Sequence, residues 1–484
     1  MSFLSLKFAL FVVAGLIAFH LAPGRFRRHI LLALSYAFYI SASALYALLL
    51  FGSTLAAYVA ARLIEKSPGE DRKLRVTVAT VTILGLVLAG FKSAGWLVEI
   101  VRALWGTGGS DAALLIIIPL GLSFYLFKLV GYILDVYWTN VPAEHDFVSF
   151  ALYVAFFPQM VCGPIQRAGD FLPQLETLGQ PDPAEMTAGL RRILFGLFKK
   201  FAIADPLAGL VTGMYSDPSA YSSLELLLGT YCFALQLYAD FSGITDIALG
   251  LGKLFGLKGP ENFRMPFFAT DIQDFWRRWH ISLSSWLADY LFTPLRMALR
   301  NFGEIGLALA LFINMVAIGL WHGATWAFVA FGAINGVYMV VSVLTTKKRK
   351  AFFRDRPHLS RMRAVAGPLL TLHLIAFALI FFRAGELSQA FEYIEHLVPV
   401  DATGGIALFR LDWAQLGLSP LKFLVILGCA VCMEGSHWVS LQPNWRARFL
   451  EAPRPLRWGL YYASILVLAV LGSLDTQKFI YAQF

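Results

Sequence analysis

The sequence predicts an all-α, polytopic integral membrane protein, and three observations carry that prediction. First, 58% of the 484 residues are hydrophobic and only 15% are charged, whereas a soluble domain holds roughly 45–50% apolar and about 25% charged residues. Second, the apolar residues come in long runs, with residues 8–19, 77–89, 114–122, 305–320 and 463–471 nearly free of charge. A span needs roughly 20 mainly apolar residues, and about eleven segments approach that. Third, Lys and Arg collect in short clusters between the runs, as they do in cytoplasmic loops. Lipid offers the backbone no hydrogen bonds, so the runs form helices. They lack the alternation of barrel strands.

Taken in order, the first run reads as a retained span, because Lys7 lies within it and no small-residue cleavage site follows. Basic clusters stand at Arg25, Arg27 and Arg28, then from Arg62 to Arg75. Too many residues separate these two clusters for one span. Two short helices with a turn near residues 41–45 return the chain to the same side, with the N-terminus outside. Residues 156–165 hold two prolines and a glycine in apolar surroundings. Irregular backbone at membrane depth must be covered by protein or line a cavity, so a re-entrant loop or broken helix is expected there. Arg191, Arg192, Lys199 and Lys200 read as another cytoplasmic cluster, as do the clusters from Lys347 to Arg363 and from Arg446 to Arg457. Residues 366–382 and 421–439 then pair as spans, and residues 383–420 lie on the outer side. No repeat or appended soluble domain interrupts the chain, which reads as a single transmembrane domain over 1–484.

Composition excludes several functions. The net charge of +9 sits in short loops and signals topology, not nucleic-acid binding. The four cysteines make no disulfide framework, and Cys429 and Cys432 share a small-residue helix face. Residues 250–256 miss the dinucleotide spacing and follow no strand. The sequence carries no nucleotide-binding P-loop, nucleophile elbow or zinc-ligand spacing, and no metal is expected.

Three constellations carry chemistry. In residues 274–292, Trp279, Leu283, Trp286 and Tyr290 share one face at helical spacing, while Arg278, Ser282, Ser285 and Asp289 share another. This predicts an amphipathic interfacial helix, which accounts for the tryptophans and arginines but not for His280. His322 lies between two apolar runs. It is either a histidine hydrogen-bonded between packed helices or a general base, since a neutral imidazole can accept a proton. Gly319 and Gly323 beside it leave room for a substrate. Asp240 and Asp246 lie in an otherwise apolar helix and need partners; structural pairing is favoured over substrate binding or proton relay.

Phe275-Trp-Arg-Arg-Trp-His-Ile-Ser-Leu-Ser284, followed by Gly319-Leu-Trp-His-Gly-Ala-Thr-Trp326, resembles the membrane-bound O-acyltransferase family. The likeness is strongest to its bacterial branch that acetylates alginate and other exopolysaccharides. Residues 119–124, 132–137, 157–165, 196–205, 238–243 and 479–484 match as well, so the resemblance covers nearly the whole chain. It implies a helical bundle around a central funnel, with a catalytic core at about 113–345. It implies that His322 is catalytic, supported by His280, with Trp276, Arg277, Trp279, Ser282, Asp240 and Trp321 as candidate substrate-binding residues. It further implies acetyl-CoA as acyl donor, a periplasmic acetyltransferase-like partner, an exopolysaccharide acceptor, and a place in the bacterial inner membrane. Residues 294–300 and Ala482 depart from the alginate-type pattern, which weakens alginate as the acceptor but not the reaction class.

Two other functions fit part of this pattern. D-alanyl transfer to teichoic acid from a carrier protein belongs to a sister branch. A glycan or lipid transporter would explain the spans and buried charges. It would not need both histidine motifs, and the paired broken helices of inverted repeats are not found.

Overall fold

The computed structural model describes residues 4–93, 119–354, 356–398, 411–472 and 479–480. Residues 114–118 of one apolar run, 399–410 of the outer segment and 481–484 of the C-terminal motif lie outside them. The described residues are helical and contain no strand. Among the described residues, six helices are long and apolar enough to cross a membrane: Ala44–Lys66, Glu70–Lys92, Arg300–His322, Trp326–Leu344, His358–Ala384 and Pro420–Leu441. At most 44% of any of their apolar windows is buried within the chain, which leaves the outward side chains to lipid. The chain divides into two compact units, residues 1–193 with 247–260, and residues 194–246 with 261–484.

In the first unit, Gly24–Ile40 and Ala44–Lys66 are the two helices expected between the first basic clusters, with the turn at residues 41–43. Ser43 caps the second of them, its Oγ accepting from the Tyr46 amide. The core is aromatic. Phe8 packs edge-on against Phe38 at 5.5 Å between centroids, and Phe11 against Phe157 at 5.5 Å. The predicted break is real: Phe147–Ala155 stops, Phe157–Met160 forms one turn, and regular structure resumes only at Ala168–Glu176. Residues 156–165 are buried throughout, so side chains must do what water would do elsewhere. The Lys128 ammonium donates to the Tyr153 carbonyl at 3.1 Å and to Gln159 Oε1 at 3.3 Å. Gln159 Nε2 donates to Gln166 Oε1 at 2.7 Å, and Gln166 Nε2 to the Lys258 carbonyl at 2.8 Å. Gly121 takes a left-handed φ of +69° and lies against the Met160 carbonyl, where a Cβ would collide.

In the second unit, Lys199 and Lys200 are not the loop charges that the cluster pattern suggests. Both are buried, in the π-helical turn Lys199–Ala204. Lys199 pairs with Asp246 at 2.5 Å. Lys200 pairs with Asp240 at 2.7 Å and Asp205 at 2.8 Å. Backbones must approach closely for this, and at Gly243 they do: a Cβ there would lie 2.8 Å from the Gly196 carbonyl oxygen. Asp240 also accepts from the Ile480 amide at 2.9 Å, and the Lys200 ammonium sits 4.8 Å from the Phe479 ring centroid. The expected structural pairing of Asp240 and Asp246 therefore holds, with lysines as partners. The cysteines form no disulfide.

Two predictions test these anchors by thermal melting of the detergent-solubilised protein. Gly121→Ala forces a left-handed alanine, worth about 1–2 kcal/mol before any clash, and should lower the melting temperature by several degrees. Gly52→Ala, with open space around its Cβ, should match or exceed the parent. Lys200→Met strands two buried carboxylates, a loss of roughly 3–5 kcal/mol, and should sharply reduce folded protein. Asp205→Asn should be tolerated, because the triad carries one more carboxylate than ammonium.

Candidate active site

Residues 274–292 do not form one amphipathic helix. Ile272–Trp276 and Ile281–Leu287 are separate short helices, followed by the π-helical turn Ala288–Phe292. The break lies at residues 277–280, and Asn262 accounts for it. Its carbonyl accepts from the Ile281 amide at 2.9 Å, and its side-chain oxygen from the Ser282 amide at 3.2 Å. The Arg264 amide donates to the Arg278 carbonyl at 3.0 Å. This clamp holds His280 at φ 42°, ψ 54°, a left-handed conformation that histidine tolerates better than most residues. Of the expected apolar face, Trp279, Leu283 and Trp286 are buried, but so is Ser282 from the expected polar face.

His280 is 1% exposed. Its ring packs edge-on to Phe241 at 4.7 Å and against Trp321 at 5.9 Å. It lies outside the six apolar helices, and burial pushes its imidazole down to about 3, so it stays neutral at physiological pH.

His322 is the last residue of Gly303–His322 and is 5% exposed. Phe382 meets it edge-on at 4.8 Å, with Phe331 at 6.1 Å and Phe328 at 6.2 Å. The Trp321 ring lies 4.5 Å away, so both imidazoles contact the same indole. The neighbouring glycines serve packing and not substrate entry. A Cβ at Gly319 would strike the Phe328 carbonyl, and one at Gly323 would lie 2.5 Å from the Phe328 ring. These close approaches let Gly303–His322 and Trp326–Leu344 pack as a tight hairpin, in the manner of small-residue contacts between membrane helices.

The other expected site residues divide. Trp321 joins the two histidines. Trp279 stacks on Phe275 at 5.6 Å and lies 6.1 Å from Tyr238. Trp276 is buried, and its indole N–H has no hydrogen-bond partner among the described residues. Ser282 is held by Asn262. Asp240 belongs to the lysine triad, and Arg277 is exposed, its Nε donating to the Gln273 carbonyl at 3.2 Å.

Reading the residues alone missed Asn262 and Phe382, and also a polar chain behind Trp279. Tyr238 Oη lies 3.1 Å from His437 Nδ1, and Lys199 Nζ lies 2.9 Å from His437 Nε2. Lys199 has only donors, so Nε2 accepts and the proton sits on Nδ1. His437 is nearly two hundred residues from Tyr238, and no local pattern signals the pair. No group of three metal-ligating side chains occurs among the described residues.

The family model described as MBOAT, membrane-bound O-acyltransferase family, matches residues 139–366, which include both histidines. The chain is 34% identical over 452 residues to a protein of Azotobacter vinelandii named probable alginate O-acetylase AlgI, covering 90% of this chain and 84% of that one. It is 32% identical over 432 residues to the Pseudomonas aeruginosa protein of the same name, covering 86% and 79%. It is 29% identical over 409 residues to the peptidoglycan O-acetyltransferase of Helicobacter pylori, covering 78% and 74%. The chain belongs to the membrane-bound O-acyltransferase family and is a multi-pass membrane enzyme that transfers acyl groups to oxygen.

Proposed function

We propose that this enzyme moves an acetyl group from acetyl-CoA in the cytoplasm across the bacterial inner membrane for O-acetylation of an exported polysaccharide. The observation that carries the proposal is His322: a buried imidazole in an aromatic cage at the end of an apolar helix, sharing Trp321 with a second buried histidine. The names of the alginate and peptidoglycan relatives support a polysaccharide as the final acceptor. A periplasmic acetyltransferase-like protein receives the acetyl group or presents the glycan. The site lies in a single catalytic domain whose core spans about 113–345, with further spans beyond the six apolar helices closing a funnel around it.

The chemistry needs one base. His322 takes the proton from the acceptor hydroxyl as its oxygen attacks the thioester carbonyl. The tetrahedral intermediate collapses with cleavage of the C–S bond, and the thiolate takes the proton back from the imidazolium. The transient positive charge forms at the carbonyl end of Gly303–His322, the end at which a helix favours a cation. The aromatic cage excludes water that would otherwise hydrolyse the thioester. His280, neutral and buried, supports the site by holding Trp321. Trp276, Trp279, Trp321 and Ser282 shape the substrate region, and Asp240 acts through the lysine triad. Arg277, exposed and cationic, suits the donor's phosphates.

The test is acetyl transfer from radiolabelled acetyl-CoA in proteoliposomes, with the periplasmic partner or a glycan on the far side. His322→Ala should lower transfer by about 10²–10⁴-fold, the usual contribution of a general base, with the melting temperature little changed. Equal labelling by the variant would reduce His322 to packing. His280→Asn keeps a residue that accepts the left-handed conformation and should slow turnover by about tenfold. Turnover equal to that of the parent would remove His280 from the site. Labelling only with a carrier-bound acyl donor would replace acetyl-CoA as the donor.

A further inference from the structure

Lys199 and Lys200 turn inward, but the basic cluster at residues 347–363 does not. It holds eight Lys and Arg against one acid, Asp355. It joins the apolar helices Trp326–Leu344 and His358–Ala384, so it lies at the level where lipid meets water. Topology accounts for a basic loop there, but not for how this one is built. Residues Thr346–Arg354 form a helix, and apolar side chains stand exposed among the charges: Phe352 is 48% exposed and Met362 64%. The Arg356 guanidinium lies 4.1 Å from the Phe352 ring centroid.

Two of the eight bases anchor the segment. Arg349 and Arg363 reach the same oxygen, Asp271 Oδ2, at 3.7 and 3.4 Å, and Arg349 Nη2 donates to the Ser342 carbonyl at 2.8 Å. Gln273 Nε2 donates to Thr346 Oγ1 at 2.9 Å and to Ser342 Oγ at 3.1 Å. A Cβ at Gly367 would lie 2.8 Å from the Thr270 carbonyl oxygen. These contacts fix the segment against Ile272–Trp276 and leave Lys347, Lys348, Lys350, Arg354, Arg356 and Arg361 exposed. No carboxylate among the described residues pairs with Lys347, Lys348, Lys350 or Arg361. The backbone is therefore ordered before any anion arrives, and only side chains lose freedom on binding one.

We propose that the outward face of residues 347–361 is a binding site for the phosphate headgroups of anionic phospholipids in the leaflet it borders. The lysines and arginines meet headgroup phosphates while Phe352 and Met362 enter the acyl boundary. The site does not depend on the reaction proposed above. The phosphates of a thioester donor are anions too, but position argues against them. The helix hairpin is antiparallel, with a Cβ at Gly332 only 2.7 Å from the Met315 carbonyl oxygen. Trp326–Leu344 thus sets the basic end about 27 Å from the turn at His322, at 1.5 Å per residue. A soluble anion also gains nothing from exposed apolar side chains. The first unit offers a contrast. Glu70–Lys92 likewise begins with exposed bases, Arg72 and Arg75, but Glu70 and Asp71 offset them.

The test is thermal melting of the full chain in neutral detergent, titrated with phosphatidylglycerol or with zwitterionic phosphatidylcholine. Phosphatidylglycerol should raise the melting temperature at low salt, phosphatidylcholine should not, and high salt should abolish the rise. In K347Q/K348Q the lipid concentration giving half the rise should increase about 25-fold, near fivefold for each charge removed. K350Q/R361Q, an independent pair on the same face, should show a similar increase. R72Q/R75Q and the charge-keeping K347R/K348R should stay within about twofold of the parent. Equal responses of the parent to the two lipids would overturn the site whatever the variants do. So would unmoved titrations in both glutamine pairs, or an equal loss in R72Q/R75Q, which would reduce the effect to general charge. Displacement of the lipid by acetyl-CoA would assign the face to the donor's phosphates and overturn the lipid site.

Discussion

An apolar scaffold in lipid has no solvent to satisfy a polar group, and the break in the first unit and the buried carboxylates in the second are answered by side chains from within the chain. Where the helix stops at Ala155, Lys128 takes up the freed Tyr153 carbonyl and Ser35 accepts from the Phe157 amide. Where carboxylates enter an apolar helix, Lys199 and Lys200 meet them. These lysines are not surplus surface charge. Each carboxylate left without its ammonium would be a buried charge, so the pairs set where the Ser223–Leu254 helix and the Lys199–Ala204 turn must lie. The approach at Gly243 makes that distance reachable.

The same rule positions the candidate site. Asn262 supplies both a carbonyl and a side-chain acceptor to the amides at Ile281 and Ser282, and the left-handed turn it stabilises drives His280 inward, not out to the interface. On the other side, glycines at 319 and 332 bring two helices into backbone contact, and His322 emerges at their closed end among phenylalanines. Trp321 touches both imidazoles. A histidine held this way has little conformational freedom, which suits the role of base proposed for it. The polar chain from Asp246 through Lys199 and His437 to Tyr238 backs the ring against which Trp279 rests. Tyr238 thus joins the electrostatic framework to the aromatic cluster of Phe263, Phe267 and Trp279.

Much of this was legible in the chain itself. Hydropathy and basic clusters determined the helical class and the turn at residues 41–43, and two prolines and a glycine in apolar surroundings the break near Pro158, because lipid imposes one rule on every residue it touches and that rule is readable locally. The two histidine motifs stood out for the same reason, as ionisable side chains in apolar surroundings, and the structure brings both rings against Trp321. Tertiary structure alone decided which charges face inward. Lys199 and Lys200 look like any loop cluster, and residues 274–292 show helical spacing throughout. Neither pattern reveals Asp240, Asp246 or Asn262 waiting from other segments. Gly319 and Gly323 likewise read as open space until Phe328 fills it. Sequence periodicity reports the environment a residue prefers, while the partner that overrules the preference comes from a distant part of the chain and is known only once the helices are packed.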